Sequence, residues 1–378
     1  MKSDVVLVAV TTPISLQLFG NRLHLLVESG VDLHVVAGES FDSTLPELPH
    51  NASIHIVKMK RRIDPIGDMI ATVRFARLSN QINPTVVAAA TPKASLVAVI
   101  GARIARVPVI VWEVWGAKWD RPSGKARVLR LVDRLIAKTA THIFAVSHSL
   151  ATLMKVNRIT KLAPEVVGFG SSHGVDVSRF FPSDSEGNSP IPRIGYVGRI
   201  CNDKGIEDVY SVALHLRESW PALQLVVVGS VDASDPPPQA LVQALMNSPW
   251  ITCTGWVENS APFYRDMDVF LFPSIREGLP NAVLEAAASG LPTVGYQATG
   301  TIDAVENGIT GTLVPPGDRE GLRKAVASLL RSGSMRRSLA RASRNLAVHR
   351  FDSRYVELAW TRVYLDLSEG ARMQERKS

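Results

Sequence analysis

The alternation of short β-branched runs with longer helical patterns constrains the fold of this chain more than any other feature. In the first half, the predicted strands are Val5–Val10, Leu33–Val36, Ile54–Val57, Val86–Ala90, Val109–Trp112 and Ile143–Val146. Segments with helical periodicity, such as Ile66–Gln81 and Ala94–Ala105, lie between them. Runs that are apolar on both faces and separated by helices predict a parallel sheet covered on both sides.

The same pattern starts again in the second half, where the predicted strands are Ile194–Val197, Leu225–Val228, Ile251–Thr252, Val269–Phe272 and Thr293–Val294. Between the halves, Phe181–Arg193 is rich in Pro, Ser, Gly and Asp and has no periodicity, which is typical of a linker. We therefore expect a doubly wound domain at 1–182, a linker at 183–193 and a second doubly wound domain at 194–350. A C-terminal helix at 351–378 is expected to pack back on the N-terminal domain and to end in a frayed tail.

Two such domains are expected to face each other across a cleft, and ligands of open parallel sheets bind beyond the carboxyl ends of the strands. The 378 residues suffice for two ordinary domains. Cys201 and Cys253 suit a reducing compartment rather than a disulfide framework. The first apolar run is interrupted by Asp4 and closed by Pro13, unlike a signal peptide, and no apolar stretch is long enough to span a bilayer. The expected location is the cytoplasm.

The net charge of +7 is concentrated in one half of the chain. Residues 1–185 contain 22 Lys and Arg against 14 Asp and Glu, so the whole excess lies there. A one-sided positive field attracts phosphorylated substrates, nucleic acid or an anionic membrane face. No recognised nucleic-acid module is present, so nucleic acid is not an expected partner.

Residues 276–290, REGLPNAVLEAAASG, place two glutamates on either side of a predicted helix start. A buried strand ends at Pro273, and Glu277 lies in the loop that follows. A helix is expected over Asn281–Ala288, and Glu285 lies more than a turn inside it. The backbone N–H groups at the start of this helix would form an anion site, so a diphosphate bound there would have hydroxyls within reach of both carboxylates. The residues around this start are Gly278, Leu279, Pro280, in the first turn, and Asn281.

A second segment, GYVGRICNDKGIEDV, brings two cations to the end of a predicted strand. The strand ends at Gly198, which allows a ligand to approach the backbone. Arg199 and Lys204 then lie in a loop that opens a helix. Two cations beside a helix start can neutralise a diphosphate leaving group as its charge develops.

These motifs resemble those of retaining GT-B glycosyltransferases of the family-4 type. EGLPNAVLEAAASGLPTV resembles the E-x7-E segment of that family, and the following TGTIDAVENGITGTLVPPGD resembles its G-x-L-V-P-P-G-D turn. GYVGRICNDKGIEDV resembles the G-R-L-x-x-x-K-G motif, with Ile200 in place of Leu, and SSHGVDVSRFFP resembles the N-G-V-D-x-x-x-F connector, with His173 in place of Asn. The resemblance is specific over residues 191–350 and looser in the N-terminal half.

The resemblance implies a role for each matching residue. Arg199 and Lys204 would contact the diphosphate, Glu277 the donor sugar hydroxyls, and Glu285 the ribose. The backbone near Trp256 and Val257 would frame the base. The implied catalytic residues are Arg199, Lys204 and Glu277, and the implied binding residues include Glu285, Gly198, Gly278, Leu279, Pro280, Asn281, Trp256 and Val257.

The activity that the resemblance implies is a metal-independent, retaining hexosyltransferase. It would move a sugar from a nucleotide-sugar, with a UDP-sugar expected, to a glycan or polyprenyl-diphosphate-linked acceptor in bacterial surface polysaccharide assembly. No cofactor is expected. Two alternatives remain. One is a sugar-nucleotide epimerase or phosphorylase on the same fold, and the other is a non-catalytic membrane-associated binding module. An assay for transfer to acceptor would distinguish both from a glycosyltransferase.

Three further residues are candidates in the N-terminal half. His173 is a possible general base or a structural residue of a glycine turn. Glu113 lies two residues before Trp115, which replaces the His or Arg that many relatives carry before the glycine that matches Gly116. Glu113 is therefore either a polar contact to the acceptor or a structural residue. Thr12 lies where many relatives have a Gly-Gly pair, and its hydroxyl is expected to cap the following helix rather than to touch ligand.

Two further patterns have competing interpretations. Asp266 and Asp268 match the D-x-D metal pattern of a different glycosyltransferase fold, but they lie between a helix end and a buried strand, so we expect a structural role and no metal.

The predicted helix at Gly124–Lys138 is basic and amphipathic. It predicts either a peripheral contact with an anionic inner membrane or a core-facing helix with a solvated basic face. Its basic residues are Arg127, Arg130, Arg134 and Lys138, beside Leu129, Val132, Leu135 and Ile136.

Overall fold

The computed structural model describes residues 4–38, 47–60, 62, 64–120, 124–183 and 191–375. The chain divides into two compact units. The first unit consists of Met1–His173 together with Arg354–Ser378, and the second consists of Gly174–Ser353.

The first unit contains a parallel sheet whose six strands, among the described residues, run in the order β3-β2-β1-β4-β5-β6. Its strands are β1 (Val5–Ala9), β2 (Asp32–Ala37), β3 (Ser53–Ile56), β4 (Val86–Ala89), β5 (Val109–Val114) and β6 (His142–Ala145). Its helices include α1 (Arg22–Glu28), α2 (Pro65–Ile82), α3 (Pro92–Ile104), α4 (Ala126–Thr139), α5 (His148–Val156) and a 3-10 helix at Pro13–Phe19.

The second unit contains another parallel sheet, with the order β12-β11-β10-β7-β8-β9 within the described ranges. Its strands are β7 (Arg193–Val197), β8 (Gln224–Val228), β9 (Ile251–Cys253), β10 (Val269–Phe272), β11 (Thr293–Tyr296) and β12 (Gly311–Val314). Its helices include α6 (Ile206–Leu216), α7 (Gln239–Asn247), α8 (Ala261–Arg265), α9 (Asn281–Ala288), α10 (Thr301–Ala304), α11 (Arg319–Arg331), α12 (Gly333–Arg350) and a 3-10 helix at Asn202–Lys204.

Both strand orders are doubly wound, because the chain starts near the middle of each sheet, runs to one edge and returns to build the other. The central strands are buried on both faces; Val6, Leu7 and Val8 of β1, for example, have no exposed surface. This burial is why the strands read as continuous apolar runs rather than alternating ones. The predicted fold class, two doubly wound α/β domains, is confirmed. In the part of the chain that the structure describes, no helix is long and apolar enough to cross a membrane.

One strand was missing from the sequence prediction. Gly311–Val314, expected to belong to a turn, forms β12 and pairs with β11 from Thr293↔Gly311 to Tyr296↔Val314. The segment is four residues long, starts with glycine and leads into a Pro-Pro-Gly turn, so the local strand signal is weak. It is an edge strand, and its pairing with a buried neighbour decides its conformation.

The units divide after His173, earlier in the chain than the linker expected at 183–193, most of which lies outside the described residues. The Val175 N–H donates to the Phe351 carbonyl at 2.7 Å, and the Ser353 N–H donates to the Val175 carbonyl at 2.9 Å. These bonds fix the start of the connecting segment to the end of α12, so it belongs to the second unit.

The last helix, α13 (Ser353–Glu375), belongs to the first unit from Arg354 onward. Trp360 and Tyr364 are buried in the core of that unit. The charged tail, expected to fray, is helical as far as Glu375. Ala371 is buried in the same core, and Arg372 Nη2 lies 3.0 Å from Asp4 Oδ2, which explains why the helix continues.

Candidate active site

Lys204 and Glu277 form an ion pair at the carboxyl edge of the second sheet. Lys204 ends the 3-10 helix that follows β7, and Glu277 lies in the loop that follows β10. Because β7 and β10 are neighbouring parallel strands, their carboxyl ends bring these two loops together. The Lys204 Nζ donates to Glu277 Oε1, and the side chains are 17% and 11% exposed. Two predicted catalytic residues, 73 positions apart in the chain, are thus in contact.

A second ion pair holds the same two loops together. Arg276 Nη2 lies 2.5 Å from Asp203 Oδ2. The Ile275 N–H also donates to the Asp203 carbonyl at 3.3 Å. This pair was not predicted, although the sequence contains a signal for it. Asp203 directly precedes Lys204 and Arg276 directly precedes Glu277, so each loop carries one acidic and one basic residue side by side. The pair fixes the loop geometry around the predicted catalytic residues.

Two glycines with positive φ let the loops of this edge pack closely. Gly205, at φ +70°, lies so near the Pro273 carbonyl oxygen that a Cβ would come within 2.2 Å of it. Gly300, at φ +77°, would place a Cβ 2.3 Å from the Gly278 carbonyl oxygen. Any larger residue at either position would be strained and would push the loops apart.

Arg199 lies in the loop after β7 but does not join the Lys204–Glu277 pair. Its side chain is 59% exposed and forms an ion pair with Asp232. Its backbone carbonyl accepts a hydrogen bond from the buried Tyr196 hydroxyl at 2.6 Å. The pKa of Tyr196 is raised well above its ordinary value, mainly by burial and further by the nearby Glu277, so this hydroxyl stays a donor.

Helix α9 starts at Asn281, as predicted, with Pro280 as the N-cap residue rather than inside the first turn. Gly278, Leu279 and Pro280 are buried, and Asn281 is half-buried. The first turn contains no acidic residue, so no carboxylate of this turn offsets the partial positive charge of the helix start. This helix start therefore suits an anion.

Glu285 is partly buried in α9 and bonds to different partners from Glu277. Tyr264 Oη donates to Glu285 Oε2 at 2.8 Å, and the Ser260 hydroxyl lies 3.4 Å from the same oxygen. Burial raises the pKa of Glu285 to about 7, although the Tyr264 hydrogen bond opposes this rise. A carboxyl group that titrates near neutrality can change its hydrogen-bonding role with pH.

The two residues predicted to lie near the base come after β9. Trp256 is 72% exposed and Val257 is half-buried. The preceding Gly255 forms an antiparallel bridge with Gly229, which follows β8. The bridge holds this loop at the carboxyl edge of the second sheet, and it leaves the Trp256 ring exposed.

In the first unit, Glu113 is a buried structural residue rather than a contact available to the acceptor. Its Oε2 accepts from Arg22 Nη2 at 2.7 Å and from Trp115 Nε1 at 3.1 Å. Its Oε1 accepts from the Tyr364 hydroxyl. Glu113 is 1% exposed and both of its carboxylate oxygens accept hydrogen bonds from side chains of the same unit, so the expectation of an acceptor contact is corrected.

His173 is partly buried beside the N-terminal loop, and its Nδ1 lies 2.9 Å from the Ser172 hydroxyl. Burial and, to a smaller extent, the nearby Arg22 lower the pKa of His173 to about 4, so the ring is neutral at pH 7. A Cβ on Gly20 would lie 2.9 Å from His173 Cβ. The Cβ of His173 thus packs closely on the Gly20 backbone, and the role of the His173 ring as a base stays a prediction.

Thr12 is the N-cap residue of the 3-10 helix at Pro13–Phe19, but its side chain makes no capping hydrogen bond, so the expected capping is wrong. The Thr12 hydroxyl lies 3.1 Å from the Ser15 hydroxyl instead. The neighbouring Thr11 has a capping contact: its Oγ1 accepts from the Ala94 N–H in the first turn of α3 at 3.2 Å.

The D-x-D segment has structural contacts at the opposite edge of the second sheet. Asp268 Oδ2 accepts from the Arg193 N–H at 2.9 Å, and Asp266 is the C-cap residue of α8. Both precede β10, whereas Lys204 and Glu277 lie beyond the carboxyl ends of the strands. The described residues contain no group of three or more His, Cys, Asp or Glu side chains that could hold a metal ion.

Comparison with known proteins matches both halves of the chain to glycosyltransferase families. The family "Glycosyl transferases group 1" matches residues 191–332, and the "Glycosyl transferase 4-like domain" matches residues 21–167. The first match contains β7 to β12 and the Lys204–Glu277 pair.

Similar proteins support the same assignment over nearly the whole chain. The capsular polysaccharide biosynthesis glycosyltransferase CapM of Staphylococcus aureus is 29% identical over 370 residues, covering 94% of this chain and 95% of the relative. The UDP-Gal:alpha-D-GlcNAc-diphosphoundecaprenol alpha-1,3-galactosyltransferase of Escherichia coli is 23% identical, covering 83% and 82%. The fold matches sucrose-phosphate synthase of Thermosynechococcus elongatus with a TM-score of 0.80 at 17% identity, over 97% of this chain and all of that one. The chain is a glycosyltransferase of the GT-B class.

Proposed function

We propose that this enzyme transfers a sugar from a UDP-sugar to a glycan or lipid-diphosphate-linked acceptor and retains the anomeric configuration. The observation that carries the proposal is the contact of Lys204 with Glu277 at the carboxyl edge of the second sheet, the edge at which α9 starts. At this edge, the cation and the N-terminus of the helix suit the diphosphate of a sugar nucleotide, and the carboxylate suits the hydroxyls of its sugar.

In the proposed complex, Lys204 and Arg199 neutralise the diphosphate and Glu277 accepts hydrogen bonds from the donor sugar. An ammonium group has three donors, so Lys204 can keep its contact with Glu277 and still donate to a phosphate oxygen. Glu285 accepts from the ribose in its ionised form. The backbone around Trp256 contacts the base, and Gly198 together with the residues from Gly278 to Asn281 lines the path of the diphosphate.

The proposed chemistry is a front-face substitution. The bond between the anomeric carbon and the leaving phosphate oxygen breaks, and the acceptor oxygen bonds to the same face of that carbon. The acceptor proton passes to the departing phosphate oxygen. Lys204, Arg199 and the start of α9 stabilise the negative charge that develops on the diphosphate, and this electrostatic stabilisation is the main catalytic contribution. A metal ion is not required in this scheme.

The relatives support the choice of donor and acceptor class. The Escherichia coli relative is named for a UDP-sugar and a diphosphoundecaprenol-linked acceptor, and the Staphylococcus aureus relative for capsular polysaccharide biosynthesis. The positive excess of residues 1–185 suits an acceptor that carries a diphosphate.

The test is a transfer assay with purified enzyme, UDP- and GDP-sugars, and a polyprenyl-diphosphate-linked sugar as acceptor. We expect an acceptor-dependent product from a UDP-sugar, and NMR of the product shows whether the donor configuration is retained. An inverted product would refute the retaining mechanism, and activity with GDP-sugars alone would refute the choice of a UDP-sugar as the donor. Conversion of donor without incorporation into acceptor would instead identify an epimerase or a hydrolase.

Peripheral binding to an anionic membrane is the second part of the proposal. Helix α4 buries only Ala126 and Ile136 among its residues. Val128, Leu131 and Leu135 are exposed on it, and Leu131 has 61% of its surface free. This exposure favours a membrane contact over a core-facing helix, because basic residues flank the apolar ones.

Vesicle flotation tests this contact. We expect the protein to float with vesicles that contain anionic lipid and to float less after Leu131→Glu, because a carboxylate would have to enter the interface. Leu358→Glu on α13 is the matched control, since Leu358 is 55% exposed and lies outside α4. Equal flotation of the wild type and Leu131→Glu would refute the contact.

A further inference from the structure

A cavity lies in the second unit, at the amino edge of the sheet rather than at the carboxyl edge. Its volume is about 340 Å³. It is lined by Arg193 at the start of β7, by Asp268 just before β10 and by Pro292 just before β11. Lys204 and Glu277 follow the other ends of these strands, so the cavity is separate from the candidate active site.

The cavity has an excess of positive charge. The arginines that line it are Arg193, Arg265, Arg336, Arg337 and Arg341. Among the described residues that line the cavity, only Asp266 and Asp268 are acidic. Asp268 is already engaged, since it accepts from the Arg193 N–H at 2.9 Å and lies 3.6 Å from Arg336 Nη2. Two carboxylates therefore leave most of the guanidinium charge uncompensated.

Arg337 and Arg341 are the two arginines of this set with no hydrogen bond, ion pair or aromatic ring contact in the described ranges. They lie one turn apart on α12, both are exposed, and neither makes a hydrogen bond or ion pair with a described residue. Residues four apart on a helix lie on one face, so the two guanidinium groups can approach the same ligand. Guanidinium groups bind phosphate oxygens through paired N–H donors.

Ser289 gives an independent indication of a ligand. It lines the cavity as the C-cap residue of α9 and is 3% exposed. Its hydroxyl is buried and has no hydrogen-bond partner among the described residues. Buried hydroxyl groups normally have a partner, so a missing partner at a cavity wall points to a group that the cavity receives.

We infer that this cavity binds a small molecule that carries a phosphate monoester. Arg337 and Arg341 bind the phosphate, and the Ser289 hydroxyl bonds to an oxygen of the ligand. The volume lies at the small end of the range for ligand sites, which suits a phosphate on a short carbon body rather than a nucleotide-sugar. Leu291 and Pro292 supply an apolar wall for that body.

Isothermal titration with glycerol 3-phosphate and with inorganic phosphate tests the inference. We expect saturable binding that weakens by about tenfold or more in Arg337→Gln/Arg341→Gln, because two charge-assisted contacts are lost. Lys324→Gln/Arg362→Gln is the control, since it removes the same charge from two side chains that are 71% and 84% exposed elsewhere. We expect the Lys204→Ala variant to bind these ligands as the wild type does, because it leaves the cavity intact. This result separates the cavity from the candidate active site.

Ser289→Ala supplies a second readout. It removes a buried hydroxyl without a partner, so we expect the ligand-free protein to be as stable as the wild type or more stable, while affinity for glycerol 3-phosphate falls. A change that merely damaged the fold would lower both. Sedimentation with phosphatidic acid vesicles tests a lipid headgroup as the source of the same phosphate chemistry.

The inference is overturned by equal affinity in the wild type and Arg337→Gln/Arg341→Gln. It is also overturned by loss of binding in Lys204→Ala alone, which would place the phosphate at the candidate active site. Absence of saturable binding by inorganic phosphate, glycerol 3-phosphate and phosphatidic acid vesicles has the same consequence. Vesicle binding without binding of the soluble phosphates, if lost in Arg337→Gln/Arg341→Gln, supports the cavity and assigns its ligand to a lipid.

Discussion

Glu113→Gln is expected to destabilise the first unit strongly, although Glu113 is remote from the predicted catalytic residues in sequence. Glu113 and Arg22 form an ion pair in which both side chains have no exposed surface. The Arg22 guanidinium lies 4.0 Å from the centre of the Phe19 ring and 4.7 Å from that of Trp360. Its Nε and Nη1 have no hydrogen-bond partner among the described residues, so Glu113 is the counter-charge that holds it.

The magnitude follows from the burial of the pair. Removing one partner of a buried pair costs about 3–5 kcal/mol, because the remaining charge is left buried and uncompensated. Glutamine has nearly the shape of glutamate, so no large cavity adds to this cost. Since one domain has roughly 5–15 kcal/mol of stability, we expect a large part of the stability of the first unit to be lost.

Hydrogen exchange of α13 is the assay, because Tyr364 of that helix also donates to Glu113. We expect peptides that contain Trp360 and Tyr364 to exchange faster by a factor that corresponds to about 3 kcal/mol or more. Arg22→Met/Glu113→Gln should restore much of the protection, since it removes both charges. Arg362→Gln is the control: its side chain is 84% exposed on the same helix, and the change should cost less than about 0.5 kcal/mol. A cost below about 1 kcal/mol for Glu113→Gln, or a double variant no more stable than the single one, would refute the reasoning.

Three further predictions concern the candidate active site. Lys204→Ala should lower turnover on the order of a hundredfold or more without changing the circular dichroism spectrum, and near-native turnover would rule out its proposed role. Glu285 has a folded pKa of about 7, above its ordinary 4.5, so its contribution to stability falls as pH rises from 4.5 to 7 and is constant above that window. Urea unfolding at pH 5 and pH 8 should show Glu285→Gln losing about 3 kcal/mol of this pH dependence, and an unchanged dependence would contradict the assignment. Activity should persist after dialysis against EDTA, and a loss restored by Mg²⁺ or Mn²⁺ would contradict the metal-independent scheme.

The fold was predictable because its central strands are buried on both faces and separated by helices. Val269–Phe272 and Asn281–Ala288 were predicted with the bounds that the structure has. β12 was not predictable, because an edge strand of four residues takes its conformation from its neighbour rather than from its own sequence. The domain division was also missed, because it depends on hydrogen bonds between Val175 and residues far away in the chain.

The candidate active site was predictable where sequence motifs carried it. The contact of Lys204 with Glu277 follows from two loops that leave neighbouring strands. The roles of these residues toward a donor stay predictions. Glu113 could not be assigned from the sequence, because its partners Arg22 and Tyr364 lie 91 and 251 residues away. The sequence does not show that residues so far apart in the chain are in contact. The structure shows that Arg22 and Tyr364 both donate to the Glu113 carboxylate.

The position of α13 has a consequence for synthesis of the chain. The core of the first unit includes Trp360, Tyr364 and Ala371, which are synthesised after the whole second unit. The second unit ends at Ser353, so it is complete in sequence before the first one is. The nascent N-terminal half must therefore wait, with part of its apolar surface uncovered, until α13 has been synthesised, and a chain truncated before Trp360 would keep that surface exposed.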